Sequence, residues 1–193
     1  IWVRQGAYGT DENPDEVASW RRGQPNSLSF PRIQGADIAG YIVAVGSLVS
    51  EDRIGERVMV DFSLYNTATD SMAFIDYIGH GRNGGYADYC SVPAENAHAV
   101  GTELTDPELA TFCCAYITAE HMLDRGRVEQ GETVLVTGAS GGVGSGLIQL
   151  CRARGAVPVA VSSEGYEAAL KEIGAEAVLL RGGKSLAMQL DAE

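Results

Sequence analysis

The residues best spaced to hold a ligand are Gly138, Gly141 and Gly144, in the run VLVTGASGGVG at 134–144. The first glycine lets the chain turn sharply off a strand. The second removes a side chain where backbone must approach a pyrophosphate, and the third lets the following helix pack close. Free N–H groups at the start of that helix would face the anion, aided by the helix dipole. The spacing is GxxGxxG rather than GxGxxG, so its weight comes from its setting between a strand and a helix. Ser140, Gly142 and Val143 complete the candidate phosphate-binding set. A tight turn in an unrelated α/β protein is the competing reading.

A second group of candidates lies at the expected ends of the next two strands. Ser162 and Ser163 can donate to a 2′-phosphate, and Arg181 can supply charge, which points to NADP. Glu164 can instead bind ribose hydroxyls, as an acidic residue does in NAD sites. All four can also be solvated loop residues.

These candidates need strands and helices to position them. Residues 133–137 (TVLVT) read as a buried strand, 142–154 as a helix, and 157–161 (VPVAV) as a second strand. Pro158 argues against a central place for that second strand. Residues 165–173 read as a helix closed by Gly174, and 177–180 as a third strand. Strands alternating with helices imply an α/β fold with a parallel sheet. A complete dinucleotide fold has two such halves. One is found here, so the chain is expected to be part of a longer protein.

The preceding part has a different texture. Residues 40–46, 57–62 and 86–92 are β-branched or aromatic runs bounded by Gly and Pro, and read as strands. Residues 63–85 read as a polar surface excursion, and 9–29 as a loop with a short helical turn at 14–22. From Asp106 the period becomes helical through Leu109, Phe112, Cys113, Tyr116, Ile117 and Met122. Asp106 marks the start, and Pro107 takes the first helical position.

Composition narrows the function. Net charge is −12, which disfavours nucleic acid as a partner. A hydrophobic share of 45% with 21% charged residues is that of an ordinary soluble globular protein, and no apolar run approaches a membrane span. Cys90, Cys113, Cys114 and Cys151 show no CxxC spacing, and a reduced cytoplasmic protein is expected.

Five stretches resemble the medium-chain dehydrogenase/reductase superfamily, in its order: GADIAGYIVAVG (35–46), IGERVMV (54–60), GGYADYCSVP (84–93), CAYIT (114–118) and GETVLVTGASGGVGSGLIQL (131–150). The resemblance implies a GroES-like β-rich catalytic domain over 1–115 and the first half of a Rossmann doubly wound parallel sheet over 116–193. It also implies a small-molecule substrate and a homodimer in the full-length protein. Where zinc-dependent members carry Gly-His-Glu, this chain has Gly35-Ala36-Asp37, and alanine cannot ligate a metal. If zinc is present, Asp37 and Cys114 are the candidate ligands; His80 and His98 are conceivable others. The cysteines of the family's structural zinc site are absent from 62–82.

Arg4-Gln5-Gly6-Ala7-Tyr8 resembles a stretch of the zinc-free quinone oxidoreductases. The resemblance implies that Trp2 and Tyr8 border the substrate cleft and that Thr118 lies near the nicotinamide. It therefore points to an NADPH-dependent reductase of quinones or α,β-unsaturated carbonyls. A zinc alcohol dehydrogenase with altered ligands is the alternative. A non-catalytic NADP-binding sensor or structural protein is a reading of another class.

Overall fold

The computed structural model describes residues 30–66, 73–182 and 185–190. The expectations for the loop at 9–29 and for the helical turn within it lie outside the described residues. The chain forms two compact units, Ile1–Cys114 and Ala115–Glu193.

In the first unit, β1 (Ala39–Tyr41), β2 (Arg57–Val60) and β5 (Ala97–Ala99) form an antiparallel sheet in the order β1-β2-β5. Tyr41 faces Arg57, and Met59 faces both Ala39 and His98. Val58 and Val60 are buried, as period-two alternation requires of a half-covered strand. Arg53 ties the loop between β1 and β2 to the sheet, donating to the carbonyls of Ala94 at 3.1 Å and Ala97 at 2.7 Å. The expected strand at 40–46 is therefore reduced to β1.

Two sequence expectations are corrected in this unit. Residues 63–85 do not form a plain excursion. They contain an antiparallel pair, β3 (Ser63–Asn66) and β4 (Ala73–Tyr77), with a register shift between Leu64 and Tyr65. That irregularity breaks the alternation a sequence reading relies on. Residues 86–92, in turn, are not a strand. Tyr86 is 80% exposed and Tyr89 76%, so the aromatics have no sheet face to pack against. The backbone bonds elsewhere: Tyr86 N donates to Gln34 O at 2.9 Å.

Helix α1 (Asp106–Gly126) begins one residue earlier than expected relative to its cap. Glu108 accepts from Thr105 N at 2.8 Å and from Thr105 Oγ1 at 2.7 Å, a capping-box arrangement that makes Thr105 the N-cap. Pro107 is thus the second helical residue, where its missing N–H still has no intrahelical partner to lose. Asp106 turns to Arg57, whose guanidinium also donates to the carbonyls of Thr102 and Leu104.

The second unit follows the sequence reading closely. β6 (Thr133–Thr137), β7 (Val157–Ser162) and β8 (Ala177–Leu180) form a parallel sheet in that order. α2 (Gly142–Ala153) connects the first pair and α3 (Glu167–Glu172) the second, and α4 (Leu186–Leu190) follows. Along β7, Ala160 joins a core with Val136, Leu147, Ile148 and Cys151, while Val159 and Val161 pack with Ala177 and Leu179 on the other face. A strand covered on both faces reads as a continuous apolar run.

Pro158 does occupy this central strand, fully buried. Its carbonyl accepts from Glu176 N at 2.9 Å, so its nitrogen faces the same side, just before β8 begins at Ala177. No ladder bond is lost there. β6 is less buried than expected: Val136 is inside, but Leu135 is 47% exposed. β6 is the edge of this three-stranded sheet, with α2 packed on it. Gly174, at φ +112, ends α3, with Ala175 N donating to Leu170 O at 2.9 Å. This is the C-terminal glycine stop expected from sequence.

Candidate functional site

The glycine turn joins β6 to α2. Gly138 has φ +62, a left-handed conformation that costs a residue with a side chain. Ala139 is fully buried, and its N–H reaches Val161 O at 3.2 Å, anchoring the turn to β7. Gly141 N closes onto Gly138 O at 3.0 Å, and Gly141 O accepts the first helical bond from Ser145 N at 2.8 Å.

Gly141 is the N-cap of α2, and no side chain caps the helix. Among the described residues, the N–H groups of Gly142, Val143 and Gly144 therefore have no partner. Such a terminus suits an anion.

The glycines differ in what they are for. A Cβ on Gly144 would lie 2.7 Å from Ala139 Cα and closer still to Gly138 O, so helix and turn meet backbone to backbone. A Cβ on Gly141 would meet only Gly138 O, at an ordinary 3.4 Å. The fold thus demands glycine at 144 but not at 141. Gly146 brings α2 against α1, its Cβ position 3.5 Å from that of Ala119. Arg154 at the end of α2 pairs with Glu120 and with Asp124 on α1.

At the end of β7 the two serines separate. Ser162 is fully buried and donates to Ser163 O at 2.8 Å, so its hydroxyl is already engaged. Ser163 and Glu164 are exposed. Arg181 N donates to Ser162 O at 2.8 Å, which sets the exposed Arg181 beside the end of β7. Ser140 is exposed at the turn, and Thr118 is half-buried on α1 in the same unit.

In the first unit, Asp37 and Cys114 do meet. Asp37 Oδ1 accepts from the Cys114 backbone N–H at 2.9 Å across 77 residues. The neighbouring Cys113 is fully buried, its thiol donating to Ile38 O at 3.2 Å, and burial pushes that thiol's pKa up.

His80 lies buried against Asp76, Nδ1 to Oδ1 at 2.8 Å, with its ring stacked on Tyr77 at 5.0 Å. His98 is exposed on β5. Among the described residues, no three His, Cys, Asp or Glu side chains group to hold a metal. Trp2 and Tyr8 lie outside the described residues. The His80–Asp76 pair was not legible in the sequence beyond a four-residue spacing.

Comparison with known proteins accords with this architecture. Residues 5–102 match the alcohol dehydrogenase GroES-like domain family. The chain is 65% identical to a candidate alcohol dehydrogenase of Sinorhizobium meliloti 1021, with a TM-score of 0.88 over 99% of this chain and 53% of that one. It is 30% identical over 159 residues to the Escherichia coli L-galactonate-5-dehydrogenase, covering 78% of this chain and 44% of the relative. The quinone oxidoreductase of Coxiella burnetii is 26% identical, with a TM-score of 0.64 over 78% of this chain and 43% of that one.

The chain belongs to the medium-chain dehydrogenase/reductase superfamily, a family of NAD(P)-dependent oxidoreductases, and carries its GroES-like domain. It spans about half the length of the solved relative at 65% identity and less than half of the curated one. No helix among the described residues is long and apolar enough to cross a membrane.

Proposed function

We propose that the full-length protein is an NADPH-dependent, zinc-independent reductase that passes hydride to a quinone or an α,β-unsaturated carbonyl. One observation carries the zinc-independent part. Where the family's zinc enzymes place histidine there is Ala36, and the adjacent Asp37 carboxylate already accepts the Cys114 N–H. Zinc of this type takes three protein ligands and keeps one open position. Asp37 would have to replace that histidine while it also holds the Cys114 N–H, and this loss of a ligand is what counts against the metal.

The dinucleotide does fit. The uncapped N–H groups at 142–144 would hold the pyrophosphate, with Gly138 and Gly144 shaping the turn and Gly141 leaving room for approach. Ser140 would add a hydroxyl donor. Ser163 and Arg181 would receive a 2′-phosphate, with buried Ser162 positioning Ser163 through its carbonyl. The nicotinamide supplies the hydride when bound. Thr118 would orient its ring, and Trp2 and Tyr8 would border the acceptor, Tyr8 donating to its carbonyl oxygen. The free thiols of Cys90, Cys113, Cys114 and Cys151 suit a reducing cytoplasm. A homodimer is the assembly we expect of the full-length protein.

The second reading, an alcohol dehydrogenase with altered ligands, is favoured by the resemblance to a curated dehydrogenase. Metal analysis of full-length protein, purified without chelator or added metal, separates the two. Near-zero zinc with NADPH-dependent quinone or enal reduction supports the reductase; about one zinc per chain supports the dehydrogenase. NADPH binding without turnover of any acceptor would favour a sensor or structural role. Arg181→Ala is expected to weaken NADPH more than NADH, and equal effects would remove Arg181 from the cofactor site.

A further inference from the structure

At the end of β8, one side chain closes onto the backbone just before Arg181. Gln189 lies on α4, three residues after Leu186, so the two share a helix face. Leu186 packs against the cluster of Val159, Val161, Ala177 and Leu179, and that contact lays the shared face on β8. Gln189 thereby meets Leu180, the last residue of the strand. Its Oε1 accepts from Leu180 N at 2.8 Å, and its Nε2 donates to Leu180 O at 3.0 Å. A side-chain amide carries an acceptor and a donor group, the pair a peptide also offers, so glutamine satisfies both at once.

The consequence falls on the next residue. The peptide group joining Leu180 to Arg181 is bonded at both ends. Its carbonyl accepts from Gln189, and its N–H donates to Ser162 O at 2.8 Å. Gly182 follows at φ +108, and glycine restrains its neighbours least of all residues, so the bonds before it set where Arg181 stands. Arg181 is exposed and has no carboxylate partner among the described residues. The facing loop is held by other bonds: Ser162 Oγ donates to Ser163 O at 2.8 Å, and Gly165 N to Glu167 Oε2 at 2.7 Å. Gln189 therefore acts on the Arg181 side alone.

We propose that Gln189 is a positioning residue for cofactor selectivity, holding Arg181 where the 2′-phosphate of NADPH meets it. The inference rests on the NADPH reading above. A guanidinium binds phosphate through a fixed fork of donors, so its contribution depends on where its backbone stands. NADH has no 2′-phosphate and does not use this contact.

The test is the ratio of NADPH affinity to NADH affinity in the full-length protein, with both titrations followed by fluorescence. Gln189→Met keeps an unbranched side chain and a good helix former while removing both bonds to Leu180. In that variant NADPH affinity should fall about fivefold or more while NADH stays within about twofold, the scale of coupling inside one hydrogen-bond network. Arg181→Ala should lower the ratio at least as far, and adding Gln189→Met to it should lower the ratio no further.

A ratio that Gln189→Met leaves unchanged, while Arg181→Ala lowers it, overturns the proposal and spares the NADPH reading. A ratio that Arg181→Ala leaves unchanged removes Arg181 from the cofactor site, and the proposal falls with it. Equal losses of NADPH and NADH in Gln189→Met give Gln189 a role in the fold only. Losses that add in the double variant mean that it does not act through Arg181. Either of these results also overturns the proposal.

Discussion

Gly141 and Gly144 stand three residues apart in one turn, yet alanine should act on them in opposite ways. At 144 the new Cβ would sit 2.7 Å from Ala139 Cα, roughly 1 Å inside the ~3.5–4.0 Å of a good carbon contact. The obstructing atoms are backbone, so the helix or the turn must move. Overpacking of this kind costs about 1–3 kcal/mol or more. Replacing glycine within a helix returns about 1 kcal/mol of propensity. Three backbone atoms stand inside 3.0 Å of the new Cβ, which takes the upper end of that cost, so the net expectation for Gly144→Ala is a loss of about 2 kcal/mol.

At 141 the Cβ would rest at 3.4 Å from one carbonyl oxygen, with φ −85 already suited to alanine. The stability loss there is that of a poorer N-cap, about 1 kcal/mol or less. The same methyl stands where an anion would approach the N–H groups of 142–144, so NADPH affinity should fall about tenfold or more, equivalent to ~1.4 kcal/mol. Urea unfolding followed by circular dichroism, with NADPH titration by fluorescence, reads both quantities. If Gly141→Ala binds NADPH as the parent protein does, the turn does not hold the pyrophosphate. If Gly144→Ala is as stable as the parent, the backbone-to-backbone packing is wrongly described.

Other outcomes follow from the first unit. The hydrogen bonds from Thr105 hold the Glu108 carboxyl below the usual carboxylate range, so the capping contribution is present above the unfolded pKa and is lost as pH falls through the lower folded value. A carbon-13 NMR titration should show this depression, and Thr105→Ala should reduce it, because the hydroxyl donor is lost while the backbone N–H of residue 105 still donates. Arg57→Leu should cost about 1–3 kcal/mol in a denaturant melt, because the Thr102 and Leu104 carbonyls and Asp106 lose their donor together. Asp37→Asn, which keeps an acceptor for Cys114 N, should melt like the parent, whereas Asp37→Ala should be less stable. Equal stability of the two variants would deny Asp37 a structural role.

Legibility differed between the two units for a physical reason. In 133–180 each element is fixed by local signals: a period-two run, a glycine at positive φ, a helical stripe and a glycine stop. The parallel sheet then follows from their alternation. The strand bounds at 133–137 and 177–180 were therefore readable from composition alone. The first unit is built from strands of three to five residues whose partners are distant in sequence, as when Met59 faces His98. Residues 86–92 have the composition of a strand but no face to cover. Residues 63–66 and 73–77 pair across an irregular register that hides their alternation.

The same contrast governs the site. Glycine spacing announces a turn because it acts within a few residues, but it does not say which glycine the fold itself requires. Only the position of Ala139 and Gly138 behind Gly144 separates that packing role from the open ground at Gly141. Ser162 and Ser163 look equivalent in sequence, yet the pleat sends one side chain into the core and the other outward. Asp37 is the sharpest case. A carboxylate beside a lost histidine invites a metal reading, and the Cys114 position seems to strengthen it. What joins these residues is an N–H donating to an oxygen across 77 residues, a bond that uses the carboxylate without any metal. The two residues a sequence reader would pair as ligands are therefore paired for a structural reason. That pairing gives Asp37 a role that needs no metal, and the alanine at 36 remains the residue that counts against zinc.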